Sequence, residues 1–94
     1  MGIVEKKYQV YVLLNQGGKF YIGLSEDVHV RLAQHNAGVS KWTAKHRPWK
    51  MVWQSASMPL SDARKFENHL KRQGRGSGFY TITGLTPPDS GSGS

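Results

Sequence analysis

Each of the two longer helices predicted from the sequence carries a charged side chain on the face that should be buried. On the first helix, apolar and polar residues recur at i, i+3, i+4 and i+7, at Val28, Arg31, Leu32 and His35. The second repeats this spacing at Ala63, Phe66, Glu67 and Leu70. One interpretation is an Arg31–Glu67 ion pair at the rim of the core. Because desolvated charges often stabilise a fold less than apolar residues would, we favour a functional cleft.

Two tyrosines add groups capable of proton chemistry. Tyr11 and Tyr21 lie on two consecutive predicted strands and face the same side of the sheet. If they are directly opposite, the turn has an odd number of residues centred near Gln16, and the phenols are cross-strand neighbours. Lys19 would then favour the ionised form of Tyr21 by proximity.

A β-hairpin is predicted to position these tyrosines. Residues 8–14 and 19–24 alternate in hydropathy and flank Asn15-Gln16-Gly17-Gly18, a typical turn sequence. The side chains expected to face the core are those of Val10, Val12, Leu14, Phe20, Ile22 and Leu24. Tyr11 and Leu13 are expected to point away from it.

The remaining elements follow from capping and hydropathy signals. A helix capped by Ser25 or Asp27 should run to Asn36 and stop at Gly38. Residues 41–48 are predicted to be a loop, and 49–54 a strand with Trp49, Met51 and Trp53 on one face. A helix capped by Ser61 should end before Gly74, and residues 79–83 are predicted to be a short strand. The expected fold is α+β, a small three-stranded antiparallel sheet flanked by helices in ββαβα order.

Composition narrows the class of protein. The chain has 94 residues, enough for one domain, assigned to residues 1–85 with a disordered tail or linker at 86–94. It has no cysteine, and its four histidines lack zinc-site spacing. No run of residues resembles a membrane span or signal peptide, so we expect a soluble intracellular protein.

The charge is strongly positive and unevenly placed. The net charge is +7, and residues 28–61 contain no Asp or Glu. The basic residues of this stretch are Arg31, Lys41, Lys45, Arg47 and Lys50. Nucleic acid is the commonest partner of such a surface, an acidic membrane or protein is a less common one, and a merely soluble basic surface is equally compatible.

The chain resembles the GIY-YIG nuclease family from Tyr8 to about Tyr80, through the order and spacing of its tyrosines and of Arg31, His35 and Glu67. Tyr21-Ile22-Gly23 matches the second half of the namesake motif, whereas Gln9-Val10-Tyr11 retains only the tyrosine of the first half. The segments around Arg31 and His35, the run Lys45-His46-Arg47-Pro48 and the helix containing Glu67 are also similar to the family. The late Asn found in many members has no clear counterpart, because Asn36 and Asn68 are the only candidates.

The resemblance implies a metal-dependent endonuclease that hydrolyses DNA. Glu67 would hold one Mg²⁺ or Mn²⁺, and Arg31 would grip the scissile phosphate. Tyr11 would be the general base, with Tyr21 and His35 positioning or sharing its proton. The residues expected to track the DNA backbone are Lys19, Lys41, Lys45, Arg47 and Lys50, and Trp42 or Trp49 could stack on a base.

Other interpretations remain open at this stage. The main alternative is a non-catalytic nucleic-acid-binding module using the same basic face, although Glu67 would repel phosphate there unless a cation intervened. Glu5-Lys6-Lys7 has the E-x-K spacing of another nuclease class without its upstream acid. A protein-interaction domain has no positive feature in its favour. We expect the substrate to be double-stranded or branched DNA, and the protein to lie in the bacterial cytosol or nucleoid. Roles in repair, recombination, restriction or mobile elements all stay open. For sequence specificity we expect a dimer or a fused DNA-binding domain.

Overall fold

A computed structural model describes residues 6–74 and 76–85. Its sheet has three antiparallel strands, β1 (Gln9–Asn15), β2 (Phe20–Ser25) and β3 (Trp49–Gln54), with β1 in the centre. The helices are α1 (Val28–Ala37), α2 (Lys41–Lys45), α3 (Leu60–Arg72) and α4 (Ser77–Thr83). The predicted α+β fold and three-stranded sheet are confirmed. The predicted tail, 86–94, lies outside the described residues.

Both faces of the sheet are covered by helices. On the α3 face, Val10 and Val12 pack with Ala63, Leu70 and Phe79. On the α1 face, the buried residues are Tyr11, Leu13, Val28 and Trp49. The expectation that Tyr11 and Leu13 point away from the core is therefore wrong, because α1 closes a second core over them. β1 is apolar on both sides for this reason, as a central strand with two covered faces must be.

The helix that carries Arg31 and His35 is held at both ends. The Asp27 carboxylate accepts hydrogen bonds from the backbone N–H groups of His29 and Val30. Gly38 ends the helix in the left-handed conformation, with φ of 87°. The N-cap is Asp27, one of the two predicted candidates, and the predicted stop at Gly38 is confirmed. The two caps fix which residues α1 turns toward the sheet.

Three local predictions are corrected. Residues 41–45 form a helix rather than a loop, in which the Ala44 N–H donates to the Ser40 carbonyl at 2.9 Å. α4 replaces the predicted final strand, because helical spacing turns Phe79 into the α3-face core, 5.1 Å from the Phe20 ring. α3 begins before Ser61, since the Pro59 carbonyl already accepts the Ala63 N–H.

Because of a β-bulge in β3, Trp53 does not lie on the face predicted for it. Val12 pairs with Trp53 and Leu13 with Met51, so Val52 is an extra residue. Trp53 therefore turns to the α3 face, where it meets Phe66 edge-on with ring centroids 5.8 Å apart. Trp49 and Met51 stay on the α1 face.

Within residues 6–74 and 76–85, no helix is long and apolar enough to cross a membrane.

The cross-strand partner of Tyr11 is Gly23, and the phenol lies over it. A β-carbon added at Gly23 would be 2.6 Å from the Tyr11 hydroxyl oxygen and 2.8 Å from Cζ. These distances are far below van der Waals contact, so this position excludes every residue with a side chain unless the ring moves.

We expect Gly23→Ala to destabilise the domain by about 1–3 kcal/mol, the usual cost of overpacking a buried site. Gly17→Ala is the matched control, because its β-carbon would meet only the Asn15 side chain, at 3.6 Å. Urea denaturation should show Gly17→Ala within about 0.5 kcal/mol of wild type. In a Tyr11→Ala background the Gly23→Ala penalty should disappear. Equal stability of the two single glycine variants would contradict this packing.

Candidate functional site

The centre of the site is a buried hydrogen-bonded chain across three elements. The Tyr11 hydroxyl on β1 lies 2.9 Å from Nε2 of His35, in the last turn of α1. Nδ1 of His35 lies 2.9 Å from the hydroxyl of Thr43 on α2. Tyr11 is 1% exposed and His35 4% exposed. The predicted inward face of α1 at His35 is therefore confirmed.

Tyr21 borders this chain but is not directly opposite Tyr11. β1 and β2 pair Tyr11 with Gly23 and Leu13 with Tyr21, so the two tyrosines are diagonal neighbours on the same face. Their ring centroids are 6.3 Å apart. The turn is centred on Gly17 rather than Gln16, which shifts the register from the predicted pairing. The Tyr21 ring instead meets His35 edge-on, with centroids 4.7 Å apart.

Burial sets the protonation of the central pair. Desolvation is the main cause that raises the pKa of Tyr11, with further increases from Tyr21 and the charge of Glu67. The charge of Arg31 acts in the opposite direction. Desolvation, followed by the charge of Arg31, lowers the pKa of His35 below its ordinary value of 6.5. At neutral pH the site therefore holds a protonated phenol beside an uncharged imidazole.

Arg31 lies at the exposed rim of the site rather than inside it. Its Nη1 donates to the Gln34 side-chain oxygen at 3.1 Å. Its charge nevertheless reaches both members of the buried pair, since it lowers the pKa of Tyr11 and of His35. A guanidinium in this position is accessible to a phosphate that approaches the tyrosine.

Glu67 is the acidic residue predicted for the site, and its side chain on α3 is only 16% exposed. Its carboxylate pairs with Lys71, one turn later, with Nζ and Oε2 3.1 Å apart. The alternative of an Arg31–Glu67 ion pair is therefore wrong. The charge of Glu67 contributes to the raised pKa of Tyr11.

A divalent ion here would have one protein carboxylate. Among the residues described, no group of three or more His, Cys, Asp and Glu side chains could hold a metal ion. Mg²⁺ fits this chemistry because it keeps several waters and commonly binds through one or two carboxylates plus substrate phosphate oxygens. Zn²⁺, which usually needs three or four protein ligands, does not fit.

The predicted backbone-binding residues are all exposed: Lys19, Lys41, Lys45, Arg47 and Lys50. Lys41 and Lys45 lie on α2. The Asn15 amide donates to the His46 carbonyl at 2.9 Å, which ties the β1–β2 turn to the connection between α2 and β3. Lys19 in that turn and Arg47 in that connection are thus at one end of the sheet.

The structure decides between the two tryptophans proposed to stack on a base. Trp49 is 3% exposed, and its indole N–H donates to the Thr43 carbonyl at 2.8 Å. Trp42 is 47% exposed, with its ring 6.1 Å from that of Tyr21 and 4.6 Å from that of His46. Trp42 is therefore the tryptophan that a ligand can reach.

Two residues of the site were missed in the sequence. Thr43 was not considered because its segment was predicted to be a loop, and a five-residue helix is too short for periodicity to reveal. Asn36, considered only as a late active-site Asn, instead clamps the start of β3. It donates to the Trp49 carbonyl and accepts the Trp49 N–H, at 3.0 and 2.7 Å. Asn68 is exposed on α3.

Comparison with known proteins identifies the family of the chain. The family model of the GIY-YIG catalytic domain matches residues 7–79. A UPF0213 protein of Lacticaseibacillus paracasei is 42% identical over 74 residues, which are 78% of this chain and 83% of the relative. Another, from Cupriavidus pinatubonensis, is 33% identical over 88 residues, 93% of this chain and 98% of the relative. No solved structure matches significantly. The chain therefore belongs to the GIY-YIG catalytic domain family, a family of nucleases.

Proposed function

We propose that the domain is a metal-dependent endonuclease that hydrolyses DNA phosphodiester bonds. The observation that supports this most is the 2.9 Å contact between the buried Tyr11 hydroxyl and His35, with the charges of Arg31 and Glu67 acting on the same phenol. Phosphodiester hydrolysis needs a base for the attacking water and positive charge on the phosphate. Tyr11 and His35 would supply the base, and Arg31 would supply the positive charge.

Proton transfer is the role of the buried pair. Tyr11 is protonated at neutral pH because burial raises its pKa, so it can take a proton from water only as its own proton leaves. His35 lies at hydrogen-bond distance, and its lowered pKa keeps it uncharged and able to accept. Tyr21, packed against the His35 ring, holds the imidazole in place.

Phosphate would bind at the exposed rim of the site, where Arg31 lies. Arg31 is exposed and its planar guanidinium can grip two phosphate oxygens. Glu67 would hold Mg²⁺ or Mn²⁺, releasing its ion pair with Lys71. Such an ion, when bound, neutralises charge on the leaving oxygen. In a pure binding module, the largely buried Glu67 carboxylate would oppose the phosphate instead.

The proposal is tested by incubating the domain with supercoiled plasmid in Mg²⁺, Mn²⁺ or EDTA. We expect nicking that requires a divalent ion. Glu67→Ala and Arg31→Ala should each reduce the rate by at least about 100-fold, the usual scale for loss of electrostatic stabilisation. Asp62→Asn, which removes a carboxylate from the exposed first turn of the same helix, is the control and should cut normally. Folded wild-type protein that binds DNA but never cuts would favour the non-catalytic binding module.

The rate should also depend on the protonation of His35. Because the pKa of His35 lies below 6.5, the accepting neutral form is the major form at pH 6.5 and becomes the minor form only at lower pH. We expect the nicking rate at saturating Mg²⁺ to fall as the pH is lowered, with a midpoint below pH 6.5. His35→Gln should be slow and lack this fall, whereas His29→Gln, at an exposed position of the same helix, should keep it. A fall with its midpoint above pH 6.5 would contradict this role.

Trp42 should contribute to binding by stacking on an unpaired base. We expect Trp42→Ala to weaken binding of a short oligonucleotide by about 5- to 150-fold, since one base–aromatic stack is worth about 1–3 kcal/mol. Trp42→Phe should retain most of the affinity. Fluorescence anisotropy in EDTA measures this without cleavage. An oligonucleotide with abasic sites should bind wild type and Trp42→Ala equally, and unchanged affinity of Trp42→Ala for the intact strand would contradict stacking.

A further inference from the structure

The hydroxyl of Thr43 lies at the inner end of the buried chain, away from the solvent. Thr43 is 0% exposed, and its Oγ1 donates to the Ser40 carbonyl at 3.3 Å. The same oxygen lies 2.9 Å from Nδ1 of His35. A carbonyl can only accept, and a hydroxyl has a single proton. With that proton on the Ser40 carbonyl, the hydroxyl accepts from His35, so Nδ1 carries the hydrogen.

The outer end of the chain leads to the same protonation state. The Tyr11 oxygen has Nε2 of His35 as its hydrogen-bond partner at 2.9 Å, and Arg31 acts on the same phenol through its charge. A guanidinium is only a donor, so the phenol proton has Nε2 of His35 as its acceptor. A buried O–H without an acceptor would cost about 1–3 kcal/mol. Both ends of the chain therefore require a lone pair on Nε2 and a hydrogen on Nδ1.

Thr43 is itself held rigidly in place. The Trp49 indole N–H donates to its carbonyl at 2.8 Å, and Trp49 is in turn clamped to α1 through Asn36. The backbone of α2 is closed by the bond from the Ala44 N–H to the Ser40 carbonyl, the same carbonyl that takes the Thr43 proton. Neither the hydroxyl nor its acceptor can move independently of the α1–β3 packing.

We propose that Thr43 is a positioning residue that fixes His35 in the Nδ1–H tautomer, with the Nε2 lone pair directed at the Tyr11 hydroxyl. This rests on the proposed nuclease function and specifies the direction of proton transfer in it. As the water oxygen bonds to phosphorus, the bond from phosphorus to the leaving oxygen breaks, and that oxygen takes a proton from solvent. The proton of the attacking water passes to the Tyr11 oxygen, the Tyr11 O–H bond breaks, and the Tyr11 proton moves to Nε2. The resulting imidazolium keeps its Nδ1–H bond to Thr43. With the hydrogen on Nε2, this transfer has no acceptor.

The test is proton–nitrogen correlation NMR of protein labelled at histidine, which distinguishes a protonated ring nitrogen from a lone pair. We expect the Nδ1–H tautomer for His35 in wild type and Thr43→Ser, which keeps the hydroxyl. Thr43→Val, which keeps the shape and removes the hydroxyl, should lose this preference. Thr83→Val is the matched control, because Thr83 is also a buried threonine whose hydroxyl donates to a backbone carbonyl, that of Phe79 at 2.9 Å.

The plasmid assay provides the second measurement. Thr43→Val should nick about 10- to 100-fold more slowly than wild type, with recovery in Thr43→Ser and no loss in Thr83→Val. An Nε2–H tautomer in wild type, or an unchanged tautomer in folded Thr43→Val, would overturn the inference. If Thr43→Val fails to fold, the wild-type spectrum alone still tests the predicted tautomer of His35. If the wild-type protein never cuts DNA, the proposed function is wrong, but the NMR spectrum still tests the tautomer of His35.

Discussion

The buried phenol of Tyr11 is the constraint on which the rest of the site depends. A hydroxyl enclosed on a sheet face must have a hydrogen-bond partner, and His35 supplies it at 2.9 Å. The ring also needs space across the strand pair, which only a glycine at position 23 provides. One polar group in the core thus determines the residue opposite it on β2 and the residue above it on α1.

The same requirement extends outward to α2. An imidazole buried beside the phenol has a second nitrogen that must also be satisfied, and Thr43 does this from a helix of five residues. Such a short helix has little stability of its own. It is held by Trp49, which packs in the α1-face core and donates to the Thr43 carbonyl. The chain from Tyr11 through His35 to Thr43 is therefore part of the second core, and loss of that core would break the chain.

Sequence patterns predicted the elements that have strong local signals. The caps of α1 at Asp27 and Gly38, and the acidic first turn and basic last turn of α3, depend on residues that are close to one another along the chain. The exact pairing of Tyr11 with Gly23 was not predictable, because a shift of the turn by one residue changes every partner. The α1-face core was not predicted, because the alternation in β1 was interpreted as a strand with one buried face. Leu13 and the ring of Tyr11 could have indicated a second buried face. Thr43 joins the site only through contacts distant in sequence.

The division between buried and exposed groups follows from what each must do. Tyr11 and His35 lie inside the fold, where water competes less for the hydrogen bond between phenol and imidazole. Arg31 lies at the exposed rim, where the proposed function requires a group that phosphate can reach, and its charge still acts on both buried groups. Glu67 lies between these extremes, mostly buried yet paired with the exposed Lys71. Lys71 compensates the carboxylate without enclosing it, so the proposed metal ion would take the place of the ammonium group without opening the core.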